Sequence, residues 1–175
     1  MSDLDDTTII TFSLNIFLGN DFGQMNDHKE NMKLALEEAR KAGEKDEVPV
    51  GCVITDEGGK LIASAHNQTI TMADPTAHAE ILALRQACGE RKNYRLLNTY
   101  LYVTVEPCVM CMGAIIHSRV SRIIFGTYDS KWGAAGSLYD FSEDRRLNHH
   151  PEIISGICIE ECRALIQKFF RNKRC

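Results

Sequence analysis

No run in this 175-residue chain is apolar enough, for long enough, to make a membrane-spanning helix. It does not open like a secretory signal either. The moderately apolar stretch 7–19 follows Asp3, Asp5 and Asp6, where such a signal needs positive charge. Internal repeats and low-complexity linkers are missing, and the length suits one domain with a real core. Neither sign of charge dominates. Twenty Lys and Arg against 24 Asp and Glu leave a formal net charge of −4, which argues against a strong general nucleic-acid binder. There are seven cysteines but only one C-x-x-C pair, so a four-thiolate zinc ribbon is not expected. With the other five scattered singly or along one helix face, a reducing cytoplasm is the simpler setting.

Two short segments stand out: His78-Ala79-Glu80, and further along Pro107-Cys108-Val109-Met110-Cys111. Together they supply one imidazole, two thiols and one carboxylate. Structural zinc sites close with four protein ligands, whereas hydrolytic sites use three and leave a position for water. Cys108 and Cys111 are i,i+3 and share a helix face. Pro107 is expected at the first helical position, where its missing N–H costs nothing. Thiols in a first helical turn are held as thiolates by the macrodipole, the form that binds zinc. His78 and Glu80 would diverge in mid-helix but can converge at a helix start, and Asp74-Pro75-Thr76 signals such a start. The expectation is two helix N-termini meeting at one zinc held by His78, Cys108 and Cys111, with Glu80 as general acid/base. A redox C-x-x-C and an ordinary N3 glutamate are the plainer readings of the same residues. As further ligands, His117 points about 240° away from Cys111 around the helix. Cys158 and Cys162 read as small core residues leading into the last helix.

Period and turn signals predict a helix from Asp27, capped by that residue with Glu30 three positions on and ending at Gly43. A hairpin over 48–55 and 60–66 follows, turning at Glu57-Gly58-Gly59. Then come helix 77–90, strand 99–105, helix 108–118, strands 121–125 and 152–158, and helix 160–173. The periodicity alone supports α/β in a single domain, a sheet covered by helices.

Several segments also resemble the bacterial tRNA-specific adenosine deaminases. They are Asp74–Ile81, Asn93-Tyr94-Arg95-Leu96, Leu101-Tyr102-Val103-Thr104, Glu106–Cys111, Gly113–Arg119, Gly133–Leu138 and Phe169-Phe170-Arg171. The paired H-x-E and P-C-x-x-C signature is that of the zinc-dependent deaminases. The likeness runs from about Met25 to the C-terminus. It implies a cytidine-deaminase-like three-layer α/β/α sandwich around a mixed sheet of about five strands. It also implies a homodimer, one zinc per subunit, and hydrolysis of adenosine to inosine at wobble position 34 of a tRNA anticodon stem-loop. By the same resemblance, Asn67 hydrogen-bonds the target nucleoside, Val48 and Phe170 wall the pocket, and Asp129 meets a neighbouring nucleotide. Asn67 as a turn residue, and Val48 and Phe170 as plain core, are the alternatives. Relatives sharing the signature but acting on free cytosine, guanine or a nucleotide differ in the flanks and in the C-terminal segment.

Lys168, Arg171, Lys173 and Arg174 crowd the last eight residues with no acid among them. Arg171, Lys173 and Arg174 are the expected phosphate contacts, although a solvated helix end would also favour cations. Tyr128 and Trp132 stand where the family often has smaller or basic residues; both stacking on a loop base and packing between subunits fit them. Residues 1–24 have no counterpart in the resemblance. They are expected to be a loosely ordered extension or to precede a biological start at Met25, with the deaminase domain over 25–175.

Overall fold

The computed structural model describes residues 27–173. The expectations for residues 1–24 and for Arg174 lie outside that range.

Helix α1 covers 27–44 and leads through a turn to β1 (Gly51–Asp56) and β2 (Leu61–His66). There follow α2 (Ala79–Arg91), β3 (Thr99–Val105), α3 (Val109–Ser118), β4 (Arg122–Thr127), β5 (Glu152–Ser155) and α4 (Ile159–Asn172). The sheet order is β2-β1-β3-β4-β5. β1 runs antiparallel to both β2 and β3, and β3, β4 and β5 are parallel. This is the mixed five-stranded sheet expected.

The strands alternate between two buried faces, as a period-2 backbone must when both sides are covered. Cys52, Ile54, Leu101, Val103, Ile123 and Phe125 point to one core with Ala83, Leu84, Met112 and Ile115 of α2 and α3. Val53, Tyr102 and Ile124 point the other way, to Met32, Ala35 and Leu36 of α1 and Cys162 of α4. Two helices therefore lie on each face. The parallel pair β3–β4 needs a crossover, and α3 makes it. His78 and Cys108 thus come to lie at helix entrances, Cys108 just beyond the carboxyl end of β3. Open α/β sheets bind their ligands in such places.

Differences from expectation lie at element ends. Asp27 is already helical rather than a cap, and α1 continues one residue past Gly43. β1 begins at Gly51 rather than at 48, because Val50 N–H turns back to the Val48 carbonyl (2.8 Å) and Pro49 has no N–H to offer a ladder. β4 runs on to Thr127, two residues past the expected end. β5 stops at Ser155 because Gly156 and Cys158 adopt positive φ (84° and 52°), which ends extended pairing before α4. Pro107 lies just before the cap of α3 instead of at its first helical position, and its carbonyl accepts a bond from Ala134 N (2.9 Å).

Candidate active site

His78 is the N-cap residue of α2 and Cys108 that of α3, both with extended backbones and neither capping with its side chain. Ordinarily an N-cap side chain bonds the free N–H groups of its own helix. Here both side chains turn toward each other instead. Cys111, one turn into α3, completes the group. The sulfurs of Cys108 and Cys111 lie 3.7 and 3.6 Å from His78 Nδ1.

All three ligand atoms fall within 4.8 Å of one another, and among the described residues no other His, Cys, Asp or Glu joins such a group. Usual zinc bond lengths in a tetrahedron set sulfur and nitrogen ligands about 3.6 Å apart. The triangle therefore fits zinc held through His78 Nδ1, Cys108 Sγ and Cys111 Sγ. His117 is exposed on the far side of α3, as its helical angle required. Cys162 sits in the core, its thiol pushed up to about 12 by burial. Cys158 adopts the left-handed cap of α4.

The thiols behave as an incipient ligand pair. A hydrogen bond from Cys111 is the main cause that brings Cys108 down to about 4, with His78 assisting. Cys111 is pushed up by its interaction with Cys108 and by burial. Their mutual hydrogen bond thus favours the thiolate at Cys108 and keeps the proton on Cys111. A divalent ion favours loss of that proton too, since only thiolate ligates.

Glu80 is the second residue of α2 and is 4% exposed. Burial pushes its carboxyl up to about 7, opposed mainly by its own backbone N–H. It belongs to no ligand triangle. A carboxyl beside a metal group but not within it, able to exist in both protonation states near neutrality, is suited to general acid/base work.

The other expected residues fall into two places. Asn67, just after β2, is buried, and its Nδ2 donates to Glu47 Oε2 (3.2 Å) and Thr69 Oγ1 (3.3 Å). It is therefore a fixed amide rather than a free turn residue. Val48, half-buried, follows Glu47 directly. The end of α4 reaches the same segment, because Lys173 Nζ pairs with Asp46 Oδ2 (2.5 Å). Phe170 is 43% exposed and edge-on to Phe169, so it is not plain core. Asp129 is placed separately, in the loop after β4, where its Oδ1 accepts from Lys131 N (2.9 Å) and Trp132 N (3.3 Å). Trp132 is 69% exposed, and Tyr128 bonds Ser155 Oγ through its hydroxyl (2.8 Å).

Two carboxylates escaped the reading of the sequence. Glu47 is wholly buried. Its oxygens accept from Thr71 N (2.7 Å), Thr69 Oγ1 (3.3 Å) and Asn67. Burial would raise its pKa, but the N–H groups of Thr71 and Ile70 and nearby hydroxyls outweigh that and hold it below the usual value. Glu106, 3% exposed, accepts from Asp129 N, Ala135 N and Ser137 N at 3.0, 2.9 and 3.0 Å, and from the Ser137 hydroxyl. The one available signal was position. Each is an acid directly beside a stretch of apolar residues, where charge is normally avoided.

Comparison with known proteins agrees with this geometry. The family described as the cytidine and deoxycytidylate deaminase zinc-binding region matches residues 25–127. The chain is 49% identical over 143 residues to the tRNA-specific adenosine deaminase of Haemophilus influenzae, covering 82% of this chain and 83% of that one. It is 45% identical to the enzyme of the same name from Bacillus subtilis, covering 82% and 88%. A solved chain from work on A-to-I editing by tRNA:A34 deaminases at the wobble position superposes with a TM-score of 0.75. That match has 43% identity and covers 78% of this chain and 98% of that one.

Proposed function

From the premise that this chain belongs to the tRNA-specific adenosine deaminases, within the cytidine and deoxycytidylate deaminase family, we propose that it hydrolyses adenosine to inosine at wobble position 34 of tRNA. The observation that carries this reading is the His78–Cys108–Cys111 triangle with Glu80 buried beside it and outside it. Zinc held by His78, Cys108 and Cys111 would lower the pKa of a bound water, making hydroxide available as a nucleophile at neutral pH. Glu80 takes the proton released, delivers it to the neighbouring ring nitrogen, and helps the amino group leave as ammonia. The carbon exchanges its C–N bond for a C–O bond, and no redox step is involved.

The remaining assignments concern how the base is held. An anticodon loop presents bases that leave their stack at low cost, which suits a pocket rather than a groove reader. Asn67 hydrogen-bonds the nucleoside, its Nδ2 anchored on Glu47. Val48 and Phe170 wall the pocket, and the Lys173–Asp46 pair supports placing them together. Asp129 meets the adjacent nucleotide. Arg171, Lys173 and Arg174 contact phosphate, Lys173 by exchanging Asp46 for it.

The protein works as a homodimer in the cytoplasm. The face of α2 and α3 carries an open groove of about 480 Å³ whose lining includes Ile81, Leu84, Arg85, Cys88, Tyr94 and His117, and the second copy is assigned to that face. No described helix is long and apolar enough to cross a membrane.

Incubating the purified protein with A34 tRNA, free cytosine and free guanine, and measuring inosine and ammonia, tests the reading. Inosine at position 34 is expected. Ammonia from guanine or cytosine with the tRNA untouched would assign it to the free-base deaminases instead.

A further inference from the structure

We infer that Glu106 is a positioning residue that holds the Asp129 loop against the turn presenting Cys108, so that RNA recognition is set from the same strand end as the metal ligands. This rests on the tRNA deaminase reading above.

Glu106 follows the last residue of β3, and its backbone N–H bonds the Thr127 carbonyl at the end of β4 (2.9 Å). From there its side chain crosses to the loop that leaves β4. Oε2 takes the Asp129 N–H and the Ser137 hydroxyl; Oε1 takes the N–H groups of Ala135 and Ser137. One carboxylate thus ties together the first part of the loop, from Asp129 to Ser137. All four of these bonds are donated to it, so the carboxyl acts here purely as an acceptor. The loop returns the contact to the metal turn: Ala134 N bonds the Pro107 carbonyl, and Cys108 pairs with Gly133. Gly133 is small because the carboxylate lies against it, and a Cβ there would fall 2.3 Å from Glu106 Oε2.

What this clamp holds up is exposed. Tyr128, Trp132, Leu138 and Tyr139 all face outward from the segment, and Asp129 sits at its first turn. Burying a carboxylate solely to stabilise a fold is a weak device, since apolar packing does as well. Spending backbone N–H groups of a surface loop on it makes sense where the loop must keep one shape for a partner.

Glu106→Gln is nearly isosteric but turns one oxygen into an NH2 facing N–H or O–H donors. At least one backbone N–H bond fails whichever way the amide lies, since only the Ser137 hydroxyl can turn round to accept. The comparison is made on the zinc-loaded full chain with an A34 anticodon stem-loop RNA. The expected result is a KM at least tenfold higher, a kcat within about threefold, and one zinc per chain as in the wild type. Amides 129, 135 and 137 should exchange with solvent at least tenfold faster. Ser137→Ala, which removes only the hydroxyl donor, should raise KM by a few-fold. An unchanged KM in Glu106→Gln overturns the inference, as does a parallel loss of zinc and kcat with KM unmoved, the mark of a purely structural acid. A wild-type protein that leaves the RNA untouched refutes the functional reading itself, a different and separable outcome.

Discussion

Glu80 and Glu47 are both carboxylates removed from water, in adjacent parts of one domain, yet they are opposite devices. Around Glu80 the main donor is its own backbone N–H, and burial prevails, carrying the group up to about 7. Around Glu47, Thr71, Ile70, Thr69 and Asn67 all point donors inward, and they prevail over burial. The balance of donors against desolvation decides which buried acid is suited to moving protons and which one to holding chain segments together. Glu106 resembles Glu47 in its contacts: its oxygens are filled by loop N–H groups and a hydroxyl.

The sharpest way to break this contrast is at Glu80. Glu80→Ala should lower the rate of inosine formation by about a thousandfold or more while zinc content stays at one per chain. An active variant would remove Glu80 from the chemistry and leave it an ordinary helix-start acid. Zinc removal is the companion measurement. Dialysis against a chelator should abolish turnover, and added zinc should restore it, since no other His, Cys, Asp or Glu among the described residues completes the ligand group.

Glu47 should answer differently, through stability. Glu47→Ala leaves the inward donors of Thr71 and Asn67 unpaired and is expected to cost about 2–4 kcal/mol in urea unfolding. The sign of its pH dependence follows from the lowered pKa. A carboxyl held below its unfolded value of 4.5 contributes stability that is present above that pH and is lost as pH falls through the folded value. Glu47→Gln should therefore lose stability by a roughly constant amount between pH 6 and 8, and flatten the acid limb so that its curve approaches the wild type's below about pH 4.5. A variant with the wild-type acid limb would mean the donor cage does not favour the charged form.

Asn67 lies between the two devices, held by Glu47 and assigned to the nucleoside. Asn67→Ala should raise KM for an anticodon stem-loop by roughly tenfold, the loss of one or two hydrogen bonds. If stability falls while KM holds, Asn67 belongs to the clamp alone. The smallest effect is expected at the C-terminal end. Neutralising Arg171, Lys173 and Arg174 together should flatten the decline of tRNA affinity with salt by up to about three units of slope. Lys173 gives up its pair with Asp46 to reach a phosphate, which reduces its share.

Much of the site was legible in the chain because its logic is short-range. Cys108 and Cys111 share a helical turn, and His78 and Glu80 share a helix start. Those spacings fix relative direction before any tertiary contact forms. The strands were legible for a similar reason, since runs such as Leu101–Val103 and Ile123–Phe125 are apolar on both faces. Element ends were less legible. Pro107 fell outside α3, and β1 began late because a local turn at Val48–Val50 competed with the ladder. Glu47 and Glu106 gave almost no warning, because their partners lie far along the chain: Thr71 is 24 positions from Glu47, and Ser137 is 31 from Glu106.

By itself, then, the order of residues determined the element types and marked out the three candidate metal ligands and the acid proposed to work beside them, from neighbours within a turn or from a simple period. The tertiary structure decided that His78 and Cys108 would both stand at helix caps facing one another. It also decided that two acids would be enclosed by donors while a third was left nearly bare, and that Lys173 would find Asp46. A buried charge takes its character from whatever surrounds it in space, and those surroundings are assembled from distant segments when the sheet closes.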